Sequence, residues 1–161
     1  GAGGYTMPLP EKDEMYLTKG KMLQDIVVCL GGRIAESLVF DDVTTGAVQD
    51  IRQATERARD MVTKYGFSDE LGMINYSTSD DEVFIGREIG HAKNFSEGTA
   101  AVIDQEVKRI IESCREKATK ILKENRKVLD KLAELLIEKE RIGQQEFEAL
   151  FEQNDETIEE M

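Results

Sequence analysis

Tryptophan is absent, histidine occurs once, and cysteine and proline occur twice each. Each scarcity removes a class of chemistry. The single histidine, His91, lies in the polar stretch Gly90-His91-Ala92-Lys93-Asn94, and no GxSxG nucleophile motif accompanies it, so a Ser-His-Asp triad has no support. Zinc prefers histidine and cysteine, and the three such residues here fall in three different elements, which argues against a zinc site built wholly from this chain. Cys29 and Cys114 sit far apart inside helical patterns, without CxxC spacing, and read as buried thiols of a reducing compartment. Both prolines come early, at Pro8 and Pro10, so long helices are unobstructed afterwards. Basic residues are outnumbered, 21 Lys and Arg against 33 Asp and Glu, and the net charge of -12 excludes nucleic-acid binding through a basic surface. No GxxxxGK[ST] loop is present to cradle nucleotide phosphates. The longest apolar run, Ile26 to Leu30, falls far short of the roughly 18 residues of a membrane span. No signal peptide is visible, and the opening Gly1-Ala2-Gly3-Gly4 reads as the start of a fragment or a processed chain.

What remains is a composition rich in charge and aliphatic residues, as expected of a soluble helical domain. Thr18 is a plausible N-cap for a helix over 18–40, with Leu23, Val27, Leu30, Ile34 and Leu38 on one face. Ile26-Val27-Val28-Cys29-Leu30 is apolar all round, which predicts a central helix. Gly31-Gly32 weakens it by about 1 kcal/mol per glycine relative to alanine, a cost that predicts close approach of another backbone. A second helix over 46–65 begins at Thr44 or Thr45 and stops at Gly66. Its stripe is Ala47, Ile51, Ala54, Ala58, Met61, Val62 and Tyr65. Tyr5 to Met7, Met73 to Tyr76 and Val83 to Ile85 are the candidate short strands, the last two separated by a polar loop at Ser77 to Asp81. A helix over 96–124 opens at Ser96, and after a break near Asn125 the pattern resumes through Val128, Leu132 and Leu135. A turn at Glu140 to Gly143 leads to a short helix with Phe147, Leu150 and Phe151 on its apolar face. The expected fold is mainly α: a compact helical domain over 1–152 with one or two short strands and a C-terminal helical hairpin, then an acidic, disordered tail over 153–161.

Two features touch on chemistry. Asp50, near the start of the second helix, falls beside Ala54 and Met61 at about 100° per residue, at the border of the buried stripe. A carboxylate there is either a partner of the helix N-terminus or a metal ligand, and periodicity alone favours the first. Arg33 and Glu36, three apart, form either a salt bridge closing the first helix or outer support for a site, and again the first is favoured.

Gly3 to Pro10, Leu30 to Glu36 and Val43 to Ile51 together resemble the peptidase domain of the FtsH family of ATP-dependent zinc metalloproteases. Gly3-Gly4-Tyr5-Thr6-Met7-Pro8-Leu9-Pro10 is similar to the stretch following that family's zinc-binding helix. Leu30-Gly31-Gly32-Arg33-Ile34-Ala35-Glu36 resembles its GGRxAE element, and Val43-Thr44-Thr45-Gly46-Ala47-Val48-Gln49-Asp50-Ile51 its STGAxxD motif. Ala54-Thr55, Ala58-Arg59, Met61-Val62, Tyr65-Gly66, Phe84-Ile85-Gly86-Arg87-Glu88, Ser96 and Ile103-Asp104-Gln105-Glu106-Val107 extend the likeness over nearly the whole chain, the acidic tail excepted.

The resemblance implies a zinc endopeptidase acting on unfolded or membrane proteins, with Asp50 as the third zinc ligand. It implies a homo-hexamer on the cytoplasmic face of a bacterial inner membrane, with ATP and magnesium bound by a separate ATPase domain. This sequence contains no HExxH. The two histidine ligands and the glutamate base are therefore expected upstream of Gly1, together with the membrane anchor, and the 161 residues alone are expected to be inactive. The alternative is a catalytically inactive helical assembly module of such a complex.

Overall fold

The computed structural model describes the backbone of residues 16–40, 42–77 and 95–159, with side chains as far as 152. Five α-helices occur among the described residues: α1 (Lys19–Val39), α2 (Val48–Thr63), α3 (Glu97–Glu124), α4 (Arg126–Lys139) and α5 (Gln144–Glu159). Helix starts follow side-chain chemistry. Thr18 accepts the Lys21 amide at 3.1 Å and Ser96 accepts the Thr99 amide at 3.2 Å, each satisfying a donor that the first turn leaves without a partner. The break between α3 and α4 falls at Asn125, and α4 closes on Glu140 in a left-handed conformation.

The first three helices enclose the core. Met22, Ile26, Leu30 and Ile34 of α1 meet Ala54, Ala58, Met61 and Val62 of α2 and Ile103, Val107, Ile110, Cys114 and Ala118 of α3. Alanines at 54 and 58 let α2 approach closely, because a short side chain brings the helix axes together. The hairpin expected after the irregular stretch takes another form: α3 joins the core, and α4 pairs with α5 through a Lys139–Glu146 ion pair, with the Phe147 and Phe151 rings of α5 edge to face at 5.3 Å. Arg126 ties α4 to the core by donating to the Leu38 carbonyl at 3.0 Å.

Four further expectations change. α1 is not covered all round: Val28 is 74% exposed, so one face stands open among the described residues. No described atom outside the helix lies within 4 Å of a Cβ built at Gly31 or Gly32, so the expected neighbouring backbone is not among the described residues. Met73 to Tyr76 is irregular chain, since the Thr63 carbonyl at the end of α2, not a neighbouring strand, takes the Tyr76 amide, at 2.7 Å. The other two expected strands, and His91, lie outside the described residues. The backbone of α5 continues past residue 152 to Glu159, where an unstructured tail was expected; no glycine or proline interrupts it.

The chain leaving α2 turns at Gly66, where φ is +64° and an added Cβ would stand 3.0 Å from the Met73 Cα, so only glycine fits. The same segment is pinned by a group the periodicity did not single out. Glu106 is 5% exposed, accepts the Ser68 hydroxyl at 2.7 Å and is held by Arg109 Nε and Nη2 at 2.7 and 2.8 Å. The Arg109 guanidinium, with help from Ser68 and against the effect of burial, lowers the Glu106 carboxyl from 4.5 to about 2. A carboxyl lowered on folding stabilises the fold above its unfolded value, and that contribution fades as pH falls from 4.5 toward about 2. Because Arg109 is largely exposed, Glu106→Gln is expected to cost about 2 kcal/mol at neutral pH. Urea unfolding of both proteins from pH 7 to pH 2 should show the difference closing in that acid window. A constant difference would mean the charge is not the source.

Candidate metal site

The candidate site is built where α1 hands over to α2. α1 ends as the Phe40 amide bonds the Glu36 carbonyl at 2.9 Å. The chain then crosses to Thr44, whose hydroxyl accepts the Gly46 amide at 3.2 Å and caps a single 3₁₀ turn, Thr45–Ala47. Of the two threonines offered as caps, Thr44 is therefore the one used. The 3₁₀ turn runs directly into α2, and Asp50 lies in the first turn of that helix. The exposed N–H groups of a helix start favour negative charge there.

Asp50 is exposed, not bordering a buried stripe, because the core covers α2 only from Ala54 onward apart from Ala47. Its neighbours Val48 and Ile51 are exposed with it, Ile51 in place of its expected burial. Among the described residues Asp50 has no hydrogen bond and no ion pair. Its charge is felt across the helix pair at Cys29 of α1. Burial pushes the Cys29 thiol up, Arg57 opposes this, and Asp50 and Asp25 add to it. Arg57 itself is ion-paired with Asp25, which Lys21 also approaches at 3.3 Å. No group of three or more His, Cys, Asp or Glu able to hold a metal occurs among the described residues. Cys114 is buried, as its position in the α3 pattern predicted, and its burial pushes the thiol up as well.

Arg33 and Glu36 do form the expected pair, with Arg33 Nη1 3.4 Å from Glu36 Oε2. The other carboxylate oxygen does something the spacing did not reveal. Glu36 Oε1 accepts the backbone amide of Thr44 at 3.0 Å, eight residues away and across the connector. Glu106 was likewise missed, although its place three residues after Ile103 on the buried face of α3 was a usable signal.

This arrangement offers an exposed carboxylate in the first turn of a helix, with no hydrogen-bonded or ion-paired partner among the described residues. Such a group suits one oxygen position of a zinc site, which takes three protein ligands when catalytic. A profile described as peptidase family M41 matches residues 1–150. The chain belongs to peptidase family M41. Among M41 relatives, the ATP-dependent zinc metalloprotease FtsH 1 of Thermoanaerobacter sp. (strain X514) is 52% identical over 154 residues, 96% of this chain and 25% of that protein. The ATP-dependent zinc metalloprotease FtsH of Caldicellulosiruptor bescii is 53% identical over 149 residues, 92% of this chain and 24% of its own length. The Thermotoga maritima protein of the same name is 43% identical over 155 residues, 96% of this chain and 25% of its own. The chain thus spans about a quarter of the length of the curated M41 relatives it matches. No helix among the described residues is long and apolar enough to cross a membrane.

Proposed function

We propose that these 161 residues form part of the peptidase unit of an ATP-dependent zinc metalloprotease, and that Asp50 is its oxygen ligand to zinc. The observation carrying this is the exposed Asp50 carboxylate, without hydrogen bond or ion pair among the described residues, in the first turn of α2 just after the Thr44-capped 3₁₀ turn. The remaining ligands, two histidines of an HExxH helix, and the glutamate acting as base belong to protein outside these residues, since His91 is the sole histidine here. When bound, zinc supplies Lewis acidity toward a peptide carbonyl. The contribution of this chain is to hold one ligand at a fixed place and to build the helical body behind it. Substrates are unfolded or membrane proteins. ATP and magnesium act through an ATPase domain, and the complete protein is a homo-hexamer anchored at the cytoplasmic face of a bacterial inner membrane.

One other reading is compatible with these residues, a catalytically silent helical assembly module. One experiment separates the two. The full-length protein, given ATP and an unfolded protein substrate, is expected to degrade it, to stop when zinc is chelated, and to recover when zinc is returned. The 161-residue chain alone is expected to degrade nothing. Full-length protein that is inactive with zinc and ATP would support the assembly module, and degradation indifferent to chelation would exclude zinc chemistry.

A further inference from the structure

We propose that Val48 is a specificity-determining residue, forming with Ile51 an apolar seat for a substrate side chain beside the scissile bond of an extended, unfolded polypeptide; the proposal rests on the reading of Asp50 as a zinc ligand. Fifteen large apolar residues are exposed among the described residues, and five of them, Val39, Phe40, Val43, Val48 and Ile51, fall within the stretch 39–51 that carries Asp50. Single exposed apolar side chains are common on any surface, but a cluster around one carboxylate is not. The fold gathers them. The Phe40 amide bonds the Glu36 carbonyl at 2.9 Å and the Thr44 amide bonds Glu36 Oε1 at 3.0 Å, so both ends of the connector meet the last turn of α1. Val48 and Ile51, three apart, share an edge of the first turn of α2.

What covers this surface follows from the metal. A catalytic zinc keeps one position open for water and substrate, so the surroundings of its ligand stay uncovered on at least one side. Two residues apart on a helix leaves the Cα atoms of Val48 and Asp50 about 5.5 Å apart, and an extended chain advances about 3.3 Å per residue. A peptide whose scissile carbonyl reaches the metal therefore brings the side chains of the adjoining residues within reach of the first turn of α2. Unfolded chains differ from folded ones in offering apolar side chains freely, and seating one against Val48 and Ile51 removes apolar surface from water on both partners.

Nothing among the described residues fixes the side chain at position 48. It is 68% exposed, and the bond that Val48 makes, its amide to the Thr45 carbonyl closing the 3₁₀ turn, is open to every residue but proline. In the STGAxxD pattern that this stretch resembles, position 48 is the first of the two free positions between Ala47 and the carboxylate. Metal binding and choice of substrate thus fall to different residues of one turn, Asp50 for the first and Val48 for the second. A residue that only packed against another part of the protein would give a different result: its replacement would lower stability and leave the sites of cleavage where they were.

The test uses full-length protein with ATP and reduced, carboxymethylated lysozyme as the unfolded substrate, the cuts being mapped by mass spectrometry and zinc measured in every sample. The parent is expected to cut beside apolar residues. Val48→Lys is expected to lower the ratio of cuts beside apolar to cuts beside acidic residues by about 10-fold, with zinc content unchanged. Val48→Ile should keep the parent pattern. Val48→Thr, which keeps the shape and loses apolar character, should shift it in the same direction by less, and it carries the test if Val48→Lys cuts too slowly to map. A parent without apolar preference, or an unaltered pattern in the zinc-replete Val48→Lys and Val48→Thr proteins, would overturn the proposal. So would a fall of more than about 5 °C in the unfolding temperature of Val48→Lys, because Val48 would then lie inside a permanent contact of the full-length protein. Asp50→Ala, assayed for zinc alongside, keeps the two readings apart: full zinc there overturns the ligand assignment, whereas an unaltered cut pattern at position 48 overturns the seat alone.

Discussion

Replacing Asp50 by alanine in the full-length protein is expected to remove bound zinc and, with it, proteolysis, by at least about 100-fold, more than the loss of an outer supporting group costs. Zinc content by elemental analysis after gel filtration and degradation of an unfolded protein measure the two effects. The reason lies in what Asp50 does not do. It has no hydrogen bond or ion pair among the described residues and lies outside the core, so its removal breaks nothing that holds α2 in place. Thermal unfolding should therefore move little in the zinc-free state, and ATP hydrolysis by the rest of the protein should persist. Asp50→Asn is a stricter version, since it keeps size and hydrogen-bonding capacity while removing the charge that a cation needs. A protein that retained a full zinc complement after either substitution would disprove the assignment and return Asp50 to a helix-terminus partner.

Ile26→Ala is expected to destabilise the 161-residue chain by about 3 kcal/mol, within the range for emptying a well-packed site. Ile26 has no exposed surface and sits in mid-α1, where α2 and α3 converge. In a chain of this size the loss corresponds to a fall of roughly 10 °C in unfolding temperature. Val28, two residues on, belongs to the same apolar run but is 74% exposed, so Val28→Ala is expected to change stability by no more than about 0.5 kcal/mol. Chemical unfolding of the two variants followed by circular dichroism tests the packing directly. Equal losses at both positions would show that α1 buries a different face.

The helices were legible because their signals are local. Thr18, Ser96, Asn125 and Gly66 mark boundaries through bonds or backbone angles that involve residues a turn away or less, and the structure puts them where the pattern does. The buried faces of α2 and α3 followed from spacing for the same reason, except at Ile51 and Tyr65 near the ends of α2 and Ile121 near the end of α3, which are exposed. The open face of α1 did not, because an apolar run states only that a surface is worth burying, while exposure depends on which neighbour is present. Val28 and the unoccupied space beside Gly31 and Gly32 are the outcome among the described residues. Met73 to Tyr76 failed as a strand for a related reason. A strand needs a partner ladder, and the Thr63 carbonyl at the end of α2 supplies the amide's partner instead.

At the candidate site the division is sharper. The amino-acid sequence by itself determined a cap at Thr44 or Thr45, the helix that follows it, the place of Asp50 near its start, and, through motifs spread along the chain, membership of peptidase family M41. All of these depend on residue types at short, fixed separations. Only the tertiary structure decided that Asp50 stands exposed, that Glu106 is buried against Ser68 and Arg109, and that Glu36 reaches over the connector to the Thr44 amide. Those facts depend on where separate helices lie relative to one another, and a hydrogen bond to a backbone amide leaves no mark in residue type, since every residue but proline offers the same donor.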